Sequence, residues 1–122
     1  MKTPEKIRIS EQFSKIEGFW NPAIAASVNN HDVKLAKIKG TFTWHKHDEE
    51  DELFFVVEGE MKLHFRDKTF LLAKGDMIVV PMGMEHQPEA DEECKIMMFE
   101  PQSTVNTGDV VNEYTRKTLK RL

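Results

Sequence analysis

Cysteine is nearly missing from this chain, with Cys94 alone among 122 residues. No internal disulfide can form, which excludes the stapled scaffolds of small secreted proteins and suits a reducing cytoplasm. Long apolar runs are absent too. The opening residues, MKTPEKIRIS, do not read as a signal peptide, and no later window approaches the ~20 residues of a membrane span. Nor is there an excess of basic charge. Seventeen lysines and arginines against 21 acidic residues leave a formal charge of −4, with the basic residues scattered. Nucleic acid and membrane are therefore not expected as partners, and the protein is expected to be cytoplasmic. With no internal repeat, low-complexity tract or linker, residues 1–122 are expected to form one domain large enough to bury a core.

What is present changes period along the chain. Ser10–Gly18 (SEQFSKIEG) reads as a short N-terminal helix, with Ser10 as its N-cap, Phe13 and Ile16 on one face, and Gly18 as its stop. From residue 22 to about residue 100 the period becomes two. The runs are 22–29, 33–39, 42–47, 52–58, 60–66, 69–73, 77–80, 85–88 and 94–99, divided by Asn29-Asn30, Gly40, Gly59, Asp67-Lys68 and Gly75. Many short strands at even spacing predict an all-β sandwich or barrel. Glu60–Arg66 alternates as a half-buried strand does. Glu52–Val57 (ELFFVV) is apolar on both faces and must be covered on both. One face suits a barrel interior; the other suits a second sheet or a second subunit, so a homodimer is expected. After Pro101 the alternation stops. Residues 101–122 are expected to form an arm over an open sheet edge, with a helical turn at Thr115–Leu122 and Leu119 and Leu122 inward.

The chemistry concentrates in Gly40–Gly59 (GTFTWHKHDEEDELFFVVEG). His45 and His47 lie two apart in an alternating stretch, so both imidazoles leave one face. Glu52 opens the next strand, where a carboxylate needs a partner to justify burial. His86 follows a tight turn at Pro81 and Gly83 that can aim a third imidazole into the same pocket. Three imidazoles and a carboxylate are a donor set for a divalent transition ion. Glu49 is the reserve carboxylate, although Asp48–Asp51 reads as a solvated loop.

These residues carry a resemblance to the cupin superfamily. The first cupin motif is matched by Gly40, His45-Lys46-His47, Glu52 and Gly59; the second by Gly75, Pro81-Met82-Gly83 and His86. Fifteen residues separate the two motifs, and the match spans about residues 33–100. Two departures exist: four rather than five residues precede His45, and Ala90 stands in place of the usual asparagine. Neither removes a ligand. The resemblance implies a double-stranded β-helix, a jelly-roll barrel of six to eight strands with its core at about 22–100. It also implies a divalent metal (iron, manganese, nickel or zinc) on His45, His47, Glu52 and His86. The tail Glu100–Thr115 (EPQSTVNTGDVVNEYT) is similar to that of small bacterial cupins loosely labelled sugar-phosphate-isomerase-like, a subgroup with no established reaction.

Other residues have plainer expectations. His31 and His64 are expected at the surface. Cys94, beside Asp91-Glu92-Glu93, is disfavoured as a thiolate and so as a nucleophile. Phe42, Trp44, Met82, Met84, Met97 and Met98 are expected in the core, and Lys37, Lys39 and Arg66 in solvent. Two functional readings follow. One is a metal-dependent enzyme of dioxygenase or isomerase type acting on a small polar metabolite; the other is a non-catalytic small-molecule or metal-binding module. Beyond the ligands, sequence places no acid/base pair and no cationic phosphate clamp in the pocket.

Overall fold

The period-two runs become seven antiparallel strands closed into a jelly-roll barrel in the computed structural model, which describes residues 3–122. The elements are α1 (Ile9–Phe13), β1 (Ala23–Val28), β2 (His31–Thr41), β3 (Glu52–Glu58), β4 (Glu60–Phe65), β5 (Thr69–Ala73), β6 (Met77–Val80) and β7 (His86–Pro101). Strand β7 is the spine. Its second half lies between β2 and β3, with β1 and β6 outside them, while its first half pairs with β4, which carries β5. Among the described residues no helix is long and apolar enough to cross a membrane.

The expected strands at 85–88 and 94–99 are thus one strand, His86–Pro101. The acidic Asp91-Glu92-Glu93 between them is exposed and sits where the β2 pairing shifts register, between Ile38 and Gly40. A bulge there bends the strand, so that its first half pairs with β4 and its second with β3, without burying the charges. The expected strand at 42–47 is reduced to an isolated bridge between His45 and His86. Gly59, at φ +91°, turns β3 into β4, and a Cβ there would lie 3.0 Å from the Glu93 carbonyl oxygen. Glycine is required by both conformation and space.

The ends of the chain differ more from expectation. Helix α1 is one turn, preceded by Arg8 rather than capped by Ser10, and no side chain caps it. Phe13 and Ile16 are nevertheless buried, packed with Ala23 and Leu35 on the outside of the barrel. No helical turn forms at Thr115–Leu122. The arm instead adds to the open edge of β1: the Ile24 amide donates to the Lys120 carbonyl and the Leu122 amide to the Ile24 carbonyl, both at 2.8 Å. Leu122 packs against the Phe13 cluster and Leu119 is half-buried.

The interior is filled from alternate positions, including Ala36, Ile38, Phe54, Val56, Leu63 and Ile96. On β3 the inward residues are Glu52, Phe54 and Val56; Leu53, Phe55 and Val57 face out and are half-buried. Val57 is covered by the Phe13 cluster. Leu53 and Phe55 are flanked on β6 by Val79 and Met77, which are 49% and 63% exposed.

Candidate metal centre

The barrel brings His45, His47, Glu52 and His86 together. All four are buried, and one donor atom from each lies within 4.8 Å of the others. Local backbone geometry explains the convergence. His45 and His86 exchange backbone hydrogen bonds at 3.1 and 2.9 Å, which brings the two ligand-bearing segments side by side. The Pro81-Met82-Gly83 turn fixes His47, because the Gly83 amide donates to the His47 carbonyl at 2.7 Å. The Met82 amide donates to Asp51 Oδ1 at 2.9 Å, tying the same turn to the loop before Glu52. Glu52 then enters as the first inward residue of β3.

Two imidazoles have their tautomers set by carbonyl oxygens, which can only accept. His45 Nδ1–H donates to Thr43 O at 2.8 Å and His86 Nδ1–H donates to Met84 O at 3.0 Å. The Nε2 lone pairs are left free for a cation. Glu52 Oε1 lies 3.3 Å from both His47 Nε2 and His86 Nε2. Even so, Glu52 Oε1, His86 Nε2 and both ring nitrogens of His47 are buried without a hydrogen-bond partner. Buried polar atoms are normally satisfied. Glu52 Oε1, His86 Nε2 and one nitrogen of the His47 ring are thus buried donors without a partner, grouped with a donor of His45, so the set fits a divalent transition metal.

Burial and the neighbouring His86 lower the His45 pKa to about 4, keeping that ring neutral. For His47 burial works downward, but the Glu52 carboxylate outweighs it and the pKa is raised. Burial would raise Glu52; the contacts from His47 and His86 overcome it and hold the carboxyl below its usual range. A stability consequence follows for metal-free protein. An unfolded His45 takes its proton near pH 6.5, but the folded one only near pH 4. The folded state therefore loses stability as pH falls across that window, by up to about 3 kcal/mol, with His47 opposing it. Thermal melts of chelator-treated protein should show a lower Tm at pH 4.5 than at pH 7, and His45→Gln should shrink that difference. An undiminished difference in the variant would remove His45 as its source.

The other candidates lie elsewhere. Glu49 is exposed and outside the cluster. His64 is half-buried, bonded to Thr69 Oγ1 and Glu89 Oε1 at 2.7 and 2.8 Å. His31 is half-buried rather than free at the surface, because its ring stacks on Phe99. Cys94 is fully buried, and burial first, then Glu60, pushes its thiol up to about 11. Met82 and Met84 are exposed, not core, since they ride on the turn before His86. Trp44 is half-buried under the Arg66 guanidinium, 3.9 Å from the ring centre. Lys39 is exposed and Lys37 half-buried.

Sequence reasoning missed two residues of the interior. Lys34 on β2 and Glu100 on β7 are 3% and 2% exposed, and their charged atoms lie 3.4 Å apart. Both line a cavity of about 40 Å³ together with His45 and Glu52. Trp20 and Phe42 close its apolar side, stacked with ring centres 4.6 Å apart. Trp20 sits at φ +58°, a costly conformation for a bulky residue, held by a 2.9 Å bond from its indole N–H to the Lys39 carbonyl.

Residues 32–100 match the cupin domain family. The chain belongs to the cupin family. The barrel superposes on a cupin-2 domain protein from Shewanella frigidimarina with a TM-score of 0.77 at 44% identity, covering 79% of this chain and 94% of that one. Protein NMB1881 from Neisseria meningitidis gives a TM-score of 0.74 at 29% identity, covering 80% of this cupin and all of the other chain. An uncharacterized protein of Bacillus subtilis, YdbB, is 43% identical over 63 residues, 51% of this cupin. The chain spans 56% of that relative's length.

Proposed function

We propose that this cupin holds one divalent first-row transition ion (iron, manganese, nickel or zinc) on His45, His47, Glu52 and His86, and uses it to bind a small polar metabolite inside the barrel. Four protein donors leave such an ion one or two positions for water, dioxygen or chelating oxygens, and the ion supplies Lewis acidity there. The observation that carries the reading is that one donor atom from each of these four buried residues lies within 4.8 Å of the others, with those of His47, Glu52 and His86 lacking any hydrogen-bond partner. Access is supported by the cavity, which His45 and Glu52 themselves line. Among the described residues Lys34 is the one lysine or arginine lining it, and most of the wall is apolar, which disfavours sugar-phosphate isomerisation. Elemental analysis of protein reconstituted with each metal should find about one ion per chain. No stoichiometric metal under any reconstitution would sink the reading. An oxygen-consumption and product screen on the loaded protein then separates an enzyme from a binding module. The free, buried Cys94 suits a reducing compartment such as the cytoplasm.

The outward row of Leu53 and Phe55 on β3, continued by the exposed Met77 and Val79 on β6, supports a homodimer built on this face. Val79→Glu is expected to convert a dimer to a monomer in sedimentation without lowering metal content. An unchanged sedimentation coefficient would place the contact elsewhere.

A further inference from the structure

We propose that Lys34 and Glu100 form the recognition pair for a small 2-hydroxy monocarboxylate, a statement that rests on the metal-dependent reading above. The ligand's oxygens would face the histidine–glutamate centre and its short apolar end would face Trp20 and Phe42.

The pair is an anomaly in its surroundings. On the same inward faces stand Ala36 and Ile38 of β2 and Ile96 and Met98 of β7, all apolar and buried. An ion pair in that setting adds little stability over apolar residues of similar size, because desolvation consumes the attraction. Its contacts are also incomplete. Lys34 Nζ donates to the Thr104 carbonyl at 3.2 Å and lies 3.4 Å from Glu100 Oε1, which leaves an ammonium hydrogen over. Glu100 Oε2 and Thr104 Oγ1 are buried with no partner. Seven such orphan atoms occur among the described residues; four belong to the metal cluster and these two to the Lys34 group. The two groups adjoin, since Leu53 pairs with Phe99 and so sets Glu52 beside Glu100 on neighbouring strands.

Lys34 and Glu100, which line the cavity, each prescribe a ligand group. The spare Lys34 hydrogen calls for an acceptor, a carboxylate oxygen. Glu100 Oε2 is met by a hydroxyl that donates. Both must lie close to the ion, so hydroxyl and carboxylate belong on adjacent carbons, an arrangement that also chelates. The charge agrees: a divalent ion, Glu52 and Lys34 sum to a positive site whether or not Glu100 is ionised. Size sets the other limit. A cavity of about 40 Å³ takes roughly three or four water-sized groups beyond its walls. A phosphate at the far end would set a dianion against Trp20 and Phe42, with no second lysine or arginine among the described residues lining the cavity.

The test is calorimetric titration of the metal-loaded protein with L-lactate, propionate, propane-1,2-diol and glycerol 3-phosphate. Lactate is expected to bind at least 10-fold more tightly than each of the other three. In Lys34→Met/Glu100→Leu, which replaces both charges together and so leaves none stranded, metal content and Tm should hold while lactate affinity falls at least 10-fold. A purely structural pair predicts that the lactate preference survives the double replacement, and that result overturns the proposal. So does a parent protein that binds lactate no better than propionate or the diol, a comparison that needs no variant. A metal-replete parent indifferent to lactate overturns this inference alone, whereas a parent that takes up no metal overturns it together with the reading beneath it.

Discussion

Replacing His47 by alanine is expected to reduce bound divalent metal from one ion per chain to background while the barrel stays folded. The two halves of that expectation have separate causes. His47 contributes one of four donors, and its ring nitrogens make no hydrogen bond within the protein beyond the 3.3 Å approach of Nε2 to Glu52 Oε1, so little internal bonding is lost on its removal. The barrel interior is held by aliphatic and aromatic packing that does not include it. What is lost is the ion, and with it the stabilisation that an ion binding only the folded state confers. At a free concentration 1,000 times its dissociation constant that is about 4 kcal/mol. For a chain of this length this corresponds to a fall in Tm of roughly 10–20 °C. Metal analysis and thermal melts of parent, parent plus chelator, and His47→Ala check it together. The chelated parent and the variant should melt within a few degrees of one another, both well below the loaded parent. A variant that binds metal as the parent does would take His47 off the ligand list. Protons should reach His47 before His45, since the first has its pKa raised and the second lowered.

The four residues of the candidate centre are legible in the sequence because of its periodicity. His45 and His47 share parity, Glu52 opens a run whose apolar neighbours leave a carboxylate unexplained, and the Pro81-Gly83 turn announces that His86 is being aimed. Strands 52–58, 69–73 and 77–80 were readable to the residue because glycine or charged turns bound them on both sides. Lys34 and Glu100 were hidden for a physical reason. Strand β2 is buried on both faces, Leu35 outward under α1 and Ala36 inward, so polarity does not alternate and parity alone cannot say which way Lys34 points. Only the β2–β7 register, which sets Lys34 opposite Met98 and Asp32 opposite Glu100, brings the pair together. The tail was misread for the opposite reason. Leu119 and Leu122 have helical spacing, but the free edge of β1 offers hydrogen bonds that a single terminal helical turn cannot match.

The same tail carries the second large effect. Residues 104–116 fold back over the His45–His47 segment rather than along the sheet edge, and Gly108 packs against its backbone. It stands at φ +57°, and a Cβ added there would meet the Lys46 carbonyl oxygen head-on and come within 3.2 Å of the His45 ring. Two hydrogen bonds pin this segment to Lys46, the residue between the two histidines: the Asp109 amide donates to the Lys46 carbonyl, and the Lys46 amide donates to Asp109 Oδ1, each at 3.0 Å. The obstacle to a side chain is thus backbone that cannot swing aside without moving His45 and His47. Gly108→Ala is expected to destabilise by about 2–4 kcal/mol, the sum of a left-handed conformation and a backbone clash. It should also weaken metal affinity by 10-fold or more, because the groups that orient the imidazoles shift with the clamp. Gly83→Ala is the control. Its φ is +79°, yet a Cβ there meets nothing within 4 Å, so only the conformational cost of about 1 kcal/mol applies. Chemical denaturation gives the stabilities, and competition with a chromogenic chelator gives the affinities. Equal losses in the two variants would mean that the arm is merely draped over the site; a loss concentrated in Gly108→Ala would mean that the C-terminal segment is part of the structure that holds the metal.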